Sequence, residues 1–122
     1  MPAPSLRFDR GAAVLSFHGE VTIESILAVN DLGRLAVNYY QAKSLDLEID
    51  SPGGDCRALD HFLDFRDELV EGGIRLTTTG LTQASSAAAM MLTMGDIGFR
   101  RVRKNCRLLF HLNYAHRAIR PA

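Results

Sequence analysis

The sequence predicts an α/β domain with a largely parallel sheet. Between residues 13 and 79, segments with strand patterns alternate with segments with helical patterns, in the order strand, helix, strand, helix, strand. Helical connections of this length join parallel strands by right-handed crossovers. Apolar residues make up 47% of the 122 residues, enough for a core, so we expect a single domain over residues 1–122.

The N-terminal elements are expected to be two strands and a helix. Leu6–Asp9 and Ala13–Phe17 have strand patterns, and Arg10-Gly11 between them has the composition of a turn. Thr22 is a suitable helix N-cap, and apolar residues at nearly helical spacing continue from Ile23 to about Tyr40. The sequence therefore predicts a first crossover helix over this range.

The middle of the chain repeats the strand and helix pattern. Leu45–Ile49 alternates strictly between apolar and acidic residues, which predicts a strand with one buried face. Ser51-Pro52-Gly53-Gly54 ends it, and a second helix is expected from about Asp55 to Glu71, ended by two glycines. Ile74–Thr79 is rich in β-formers and predicts the next strand.

The last third is expected to contain a turn, a helix and two strands. Gly80–Ser85 is small and polar, so it predicts a turn. Ser86–Met94 is rich in Ala and Met and predicts a helix that Gly95 ends. Gly98–Val102 and Arg107–Leu112 have strand patterns.

Composition excludes several classes of function. Fourteen basic and fourteen acidic residues cancel, which argues against a nucleic acid or an anionic membrane as partner. The longest apolar stretch, residues 87–94, is too short to span a bilayer. The N-terminus lacks the pattern of a secretory signal, so we expect a cytoplasmic protein. Cys56 and Cys106 lack the spacing of a zinc site, and we expect no metal and no cofactor.

Three short motifs lie where an active site could form. Gly53-Gly54 follows one predicted strand, Ser86 starts a helix among small residues, and His111 ends an apolar run. Sites in parallel α/β folds gather at the carboxyl ends of strands. These residue types can supply an oxyanion hole, a nucleophile and a general base. Taken singly, each also fits a structural role: a tight connection, a helix cap and a hydrogen-bonded core histidine.

Residues 45–112 resemble the proteolytic subunits of Clp proteases (ClpP) and their phage-type relatives. The family's strand followed by Ser-Pro-Gly-Gly corresponds to residues 47–54. Its nucleophile motif, Gly-x-Ala-x-Ser before small residues, corresponds to residues 82–89, and its strand ending in the catalytic histidine to residues 105–111. The separation of 25 residues between Ser86 and His111 also fits the family.

The resemblance implies a serine endopeptidase that works through an acyl-enzyme. Ser86 would be the nucleophile, His111 the general base, and the N–H groups of Gly54 and Ala87 the oxyanion hole. Gly53 would belong to the substrate-binding turn. The implied fold is the crotonase-like ββα spiral. The implied partners are a peptide or unfolded protein as substrate, further copies in a homo-oligomeric ring, and an AAA+ unfoldase.

The chain departs from the family pattern at four places. Thr82 replaces a glycine, Ala87-Ala88 replaces Met-Gly, and Ser85 beside Ser86 leaves the register of the nucleophile open by one residue. The family's third catalytic residue is an acid beyond a long helix, whereas no acid follows His111. We therefore expect the family's C-terminal helix and acid to be missing here. Loss of the orienting acid lowers the rate on the order of 10⁴-fold in serine proteases.

A competing hypothesis is a non-catalytic structural or regulatory subunit with the same fold. Five cations fall within residues 100–107, while acids concentrate in the middle of the chain. Such a basic edge could face an acidic partner, although solvated faces and intersubunit salt bridges are the plainer interpretation. A Ser-Lys dyad is less favoured, because Lys43 and Lys104 are the only lysines and Lys104 lies in the basic run.

Overall fold

A computed structural model describes residues 3–110 of the chain. Six strands form one sheet in the order β1-β2-β3-β4-β5, and β6 also pairs with β4. The strands are β1 (Ser5–Asp9), β2 (Ala12–His18), β3 (Ser44–Ser51), β4 (Arg75–Ser85), β5 (Arg100–Val102) and β6 (Arg107–Leu109). The helices are α1 (Ile23–Arg34), α2 (Leu59–Glu71) and α3 (Ala87–Thr93).

The sheet is mostly parallel, as the sequence predicts. β1 and β2 are antiparallel, whereas β2–β3, β3–β4, β4–β5 and β4–β6 are parallel. Arg10 and Gly11 join β1 to β2 with φ angles of 52° and 83°. Two positive φ angles in a two-residue loop define the type I′ turn that suits the twist of a hairpin.

Capping side chains and a change of pitch set the limits of the first crossover helix. The Thr22 hydroxyl accepts a hydrogen bond from the Ser25 N–H at 2.9 Å, and the Ser25 hydroxyl accepts one from the Thr22 N–H at 2.8 Å. This reciprocal capping box satisfies two donors that the first turn leaves free. After Arg34 the chain continues as a π-helical turn over Leu35–Tyr39, so the predicted helical stripe spans two kinds of helix.

The core lies between the sheet and the helices. Leu45, Leu47 and Ile49 are buried on one face of β3, while the alternating polar residues are only partly buried on the other. Phe62 of α2 and Met91 of α3 belong to the same buried cluster. Residues 3–110 thus share one sheet and one principal core. A single domain over the whole of residues 1–122 stays a prediction.

The main difference from the sequence prediction is the stretch Gly80–Ser85, which is strand and not turn. Its residues continue β4, where Ala84 pairs with Ser51 of β3 and Gln83–Ser85 pairs with β6. The register between β3 and β4 shifts after Ile49, so β4 contains an irregularity. Small polar residues resemble a turn locally, but pairing with strands distant in sequence overrides that preference.

Smaller differences concern the ends of elements. A 3₁₀ turn over Cys56–Ala58, capped by Asp55, precedes α2. Helix α3 starts at Ala87, one residue later than expected. β4 starts at Arg75 and β5 at Arg100, each later than predicted. Such shifts are ordinary, because helix and strand ends depend on caps and pairing more than on periodicity.

Replacing Gly33 by alanine should destabilise the fold, although alanine favours helix by about 1 kcal/mol. A methyl group on Gly33 of α1 would overlap the Cζ atom of the Phe65 ring. It would also lie 2.9 Å from Cε2 and 3.2 Å from Cε1 of the same ring. Phe65 of α2 is only 3% exposed, so its ring has little room to move. We expect a net loss of about 1–2 kcal/mol in the free energy of unfolding, measured by urea denaturation.

The double variant Gly33→Ala, Phe65→Leu provides the matched control for this contact. If overlap with the ring causes the loss, the double variant should be more stable than the sum of the two single effects predicts. Strict additivity would show that the close approach of α1 to α2 does not set the cost.

Candidate active site

Ser86 occupies a strained turn between β4 and α3. Its φ and ψ angles are 55° and −120°. These are the angles of the first central residue of a type II′ turn, which glycine normally occupies. The Ser86 N–H donates to the Leu109 carbonyl of β6 at 2.7 Å, and its carbonyl accepts from the Met90 N–H at 3.2 Å. A serine on a sharp strand-to-helix turn matches the nucleophile elbow of hydrolases.

Ser86 and its neighbour Ser85 differ in their surroundings. Ser85 is the last residue of β4, is 3% exposed, and its hydroxyl accepts a hydrogen bond from Gln83 Nε2 at 3.1 Å. Ser86 is partly exposed, and its hydroxyl has no hydrogen-bond partner within residues 3–110. Of these two serines, only Ser86 is accessible to solvent and has a hydroxyl without a hydrogen-bond partner in this part of the chain.

The glycine turn after β3 is held by a network of backbone hydrogen bonds. The Gly53 N–H donates to the Ser51 hydroxyl at 3.0 Å. The Val21 N–H donates to the Gly53 carbonyl at 2.8 Å, and the Asp55 N–H donates to the Val21 carbonyl at 2.8 Å. Within the described part of the chain, the Gly54 N–H between these bonds has no partner. The turn thus fixes its own geometry and leaves one donor free.

Gly53 lies directly against the elbow. A methyl group on Gly53 would be 2.5 Å from the Ser85 carbonyl oxygen and 2.8 Å from Ser86 Cβ. Its φ angle is 99°, which also favours glycine. Gly54 is equally confined, because a methyl group there would overlap the Val21 carbonyl oxygen. Gly53 therefore allows the turn after β3 to contact the turn after β4, and Gly54 allows the same turn to contact Val21.

Ala87 adds a second free donor next to Ser86. It is the first residue of α3, where a helix leaves its N–H groups without intrahelical acceptors. Its side chain is fully buried, as are those of Ala88 and Ala89. The structure thus brings together Ser86, Gly53, Gly54 and Ala87, four of the five residues that the sequence indicates.

The fifth residue, His111, lies outside the described residues. Leu109 of β6, close to the last described residue, Phe110, accepts the hydrogen bond from the Ser86 N–H. The chain therefore contacts the elbow two residues before His111. The role of His111 stays a prediction from the sequence.

Two alternative catalytic arrangements have less support in the geometry. Burial, together with the negative charge of Asp50, raises the pKa of the Cys106 thiol above its usual value. A raised pKa keeps the thiol protonated and makes it a poor nucleophile. Lys43 and Lys104 are exposed, whereas a Ser-Lys dyad needs a buried lysine that can lose its proton.

Ser51 and Val21 support the site, and the sequence motifs alone do not assign them this role. Ser51 is 1% exposed, and Val21 is completely buried. A serine two residues before a glycine can form a side-chain turn, so Ser51 could have been recognised from Ser-Pro-Gly-Gly. The pairing of Val21 with Gly54 joins residues distant in sequence, and no local signal predicts it.

Residues 3–110 give no geometric indication of a metal or a membrane span. None of their His, Cys, Asp and Glu side chains form a group of three that could hold a metal ion. None of their helices is both long and apolar enough to cross a bilayer.

Comparisons with known proteins agree with this architecture. The family model for Clp protease matches residues 19–118. The chain is similar in structure to the catalytic domain of the ClpP protease from Plasmodium falciparum, with a TM-score of 0.65 and 19% sequence identity. The similarity covers 86% of this chain and 57% of that chain, so this chain spans little more than half the length of the solved relative. No curated protein matches the sequence.

The structural similarity shows the ClpP catalytic-domain fold and confirms the predicted fold class. The family model extends over most of the sequence, and it includes the glycine turn, the elbow and the strand before His111. The chain belongs to the Clp protease family.

Proposed function

We propose that this chain is a serine endopeptidase in which Ser86 attacks the carbonyl of a peptide bond. The observation that supports this most is the elbow itself, where a partly exposed serine with a free hydroxyl occupies a conformation that favours glycine. Such strain persists only where the surrounding structure imposes it, and it clusters at functional sites. Membership of the Clp protease family makes peptide hydrolysis the reaction to expect.

The catalytic steps follow from the groups around the elbow. His111 takes the proton from the Ser86 hydroxyl as its oxygen bonds to the substrate carbonyl carbon. The N–H groups of Gly54 and Ala87 donate to the oxyanion that forms. His111 then gives the proton to the leaving amine as the peptide bond breaks. Water, activated by the same histidine, cleaves the acyl-enzyme and restores Ser86.

The proposal extends to partners and location. Substrates are peptides or unfolded proteins bound in extended form, and the working state is a homo-oligomeric ring that an AAA+ unfoldase serves in the cytoplasm. These features come with the family and are proposed for this chain on that basis.

A fluorophosphonate tests the proposal, because it bonds covalently only to an activated serine. Intact mass should show a single adduct on the wild-type protein and none on Ser86→Ala. Ser85→Ala is the matched control and should keep the adduct, because the Ser85 hydroxyl is buried and bonded to Gln83. We expect His111→Ala to slow labelling by at least 10²-fold, the usual contribution of a general base.

Two results would contradict the proposal. An adduct that survives in Ser86→Ala and disappears in Ser85→Ala would move the nucleophile by one residue. A folded, ring-forming protein that gives no adduct with or without an unfoldase would favour the alternative of a non-catalytic subunit.

A further inference from the structure

The segment between β5 and β6, together with the first residue of β6, contains three cations that the proposed chemistry does not use. Arg103, Lys104 and Arg107 are exposed, and none of them forms an ion pair with the part of the chain described here. The two preceding arginines are already engaged. Arg101 pairs with Asp46 at 3.3 Å, and Arg100 Nε donates to the Gly95 carbonyl at 2.7 Å.

Two of these free cations line a cleft of about 420 Å³. Arg103, Lys104 and Asn105 form one wall, and Leu81 and Thr82 of β4 form the other. The loop is tied to the sheet, because the Arg103 N–H donates to the Gly80 carbonyl at 2.9 Å. It is also closed on itself, because the Cys106 N–H donates to the Arg103 carbonyl at 3.0 Å. The cations therefore project from a fixed backbone.

The nearest carboxylates do not neutralise this cleft. Arg103 also lines a neighbouring cleft that contains Asp46 and Glu48. Asp46 pairs with Arg101, and Glu48 accepts two hydrogen bonds from the Arg7 guanidinium at 3.2 and 3.3 Å. Asp46 and Glu48 are thus each matched by another arginine, and Asp50 on the same face of β3 lies 3.9 Å from His18 Nδ1. None of these three carboxylates forms an ion pair with Arg103 or Lys104, so the charge on these two residues remains available to a ligand.

The cleft lies within reach of a peptide bound at the elbow. Thr82 of β4 precedes Ser86 by four residues, so the two residues lie no more than about 13 Å apart, the length of four residues of extended chain. A peptide in extended form covers that distance with about four residues. An extended substrate that ran from the elbow toward Thr82 would therefore place a residue on one side of the cleaved bond beside Arg103 and Lys104.

We propose that this cleft binds an acidic side chain of the peptide substrate, about four residues from the bond that Ser86 attacks. The inference rests on the proposed peptidase function and adds a preference for substrates to it. Guanidinium and ammonium groups donate charge-assisted hydrogen bonds to carboxylates, whereas Leu81 supplies an apolar wall for the stem of the side chain.

Direct binding tests the preference without relying on turnover. The probe is an extended peptide labelled with a neutral dye, with glutamates at both ends of an uncharged centre, and a second probe has glutamine in their place. Fluorescence anisotropy with Ser86→Ala should give a dissociation constant about 3- to 10-fold lower for the glutamate peptide, as expected for two exposed charge contacts. High salt should reduce the ratio of the glutamine peptide's dissociation constant to that of the glutamate peptide, because salt screens exposed charges.

The variant Arg103→Gln, Lys104→Gln, made in the same Ser86→Ala background, should lower the ratio to about one. Lys43→Gln is the matched control, since Lys43 is exposed and precedes β3 at the far end of the sheet. Three results would overturn the inference. The ratio could be near one without the cleft substitutions, it could be unchanged by them, or neither peptide could bind. A protein that fluorophosphonate does not label but that still prefers glutamate would contradict the proposed function and leave the cleft as a binding site.

Discussion

Replacing Ser86 by glycine should make the fold more stable than replacing it by alanine, while both variants lose the fluorophosphonate adduct. Alanine removes the hydroxyl but keeps a Cβ at φ 55° and ψ −120°, so the strain of the elbow remains. Glycine removes the strain, which costs about 1–3 kcal/mol at such angles. Glycine also loses about 0.5–1 kcal/mol through the greater freedom of the unfolded chain. We expect a net advantage of about 0.5–2 kcal/mol over alanine in urea denaturation.

Arg10→Gly is the matched control for this effect. Arg10 also has a positive φ angle, 52°, but it lies in the hairpin between β1 and β2. Its replacement should also increase stability, yet labelling of Ser86 should not change. If Ser86→Gly is no more stable than Ser86→Ala, the elbow is not strained, and the main observation behind the nucleophile is lost.

Replacing Ser86 by glycine should increase stability but abolish labelling. These opposite effects on stability and activity make the elbow informative about function. Selection for stability alone would favour glycine at this position, because glycine adopts these angles without a steric penalty. The Ser86 hydroxyl forms no hydrogen bond within residues 3–110 that could offset the strain. Ser86 thus lowers the free energy of unfolding without a compensating hydrogen bond, and its hydroxyl is accessible. This combination is expected where selection retains a residue for catalysis.

The sequence predicts the fold well where one local pattern decides the outcome. The alternation in Leu45–Ile49 fixes both the strand and its buried face, and the structure confirms both. Gly80–Ser85 was predicted wrongly, because its conformation depends on β3 and β6, which are distant partners. No periodicity within the segment reports on those partners.

The candidate site divides in a similar way. Motifs located Ser86, Gly53, Gly54 and Ala87, because a strand end followed by small residues is a local signal. The hydrogen bonds between Val21 and the glycine turn could not be predicted, nor could the lack of a partner for the Gly54 N–H within the described residues. Both depend on how two loops meet. His111 lies outside the described residues, so the general base still depends on sequence alone.

Replacing Gly53 by alanine should damage stability and activity together. The new methyl group would be 2.5 Å from the Ser85 carbonyl oxygen and 2.8 Å from Ser86 Cβ, closer than real Cβ atoms approach. Backbone strain at φ 99° adds to this overlap. We expect a loss of about 2–5 kcal/mol in the free energy of unfolding. Displacement of the elbow by a fraction of an ångström to 1 Å should also slow fluorophosphonate labelling, by up to about 10²-fold.

Gly98→Ala separates the two causes, because Gly98 has φ 87° but no atom within 4 Å of the site of a new methyl group. It should show only the backbone strain, about 1–2 kcal/mol, with normal labelling. A Gly53→Ala variant that loses no more stability than Gly98→Ala would show that the two turns are not in tight contact. Because Gly54 follows Gly53 directly, such a result would remove the physical basis for proposing the Gly54 N–H as one half of the oxyanion hole.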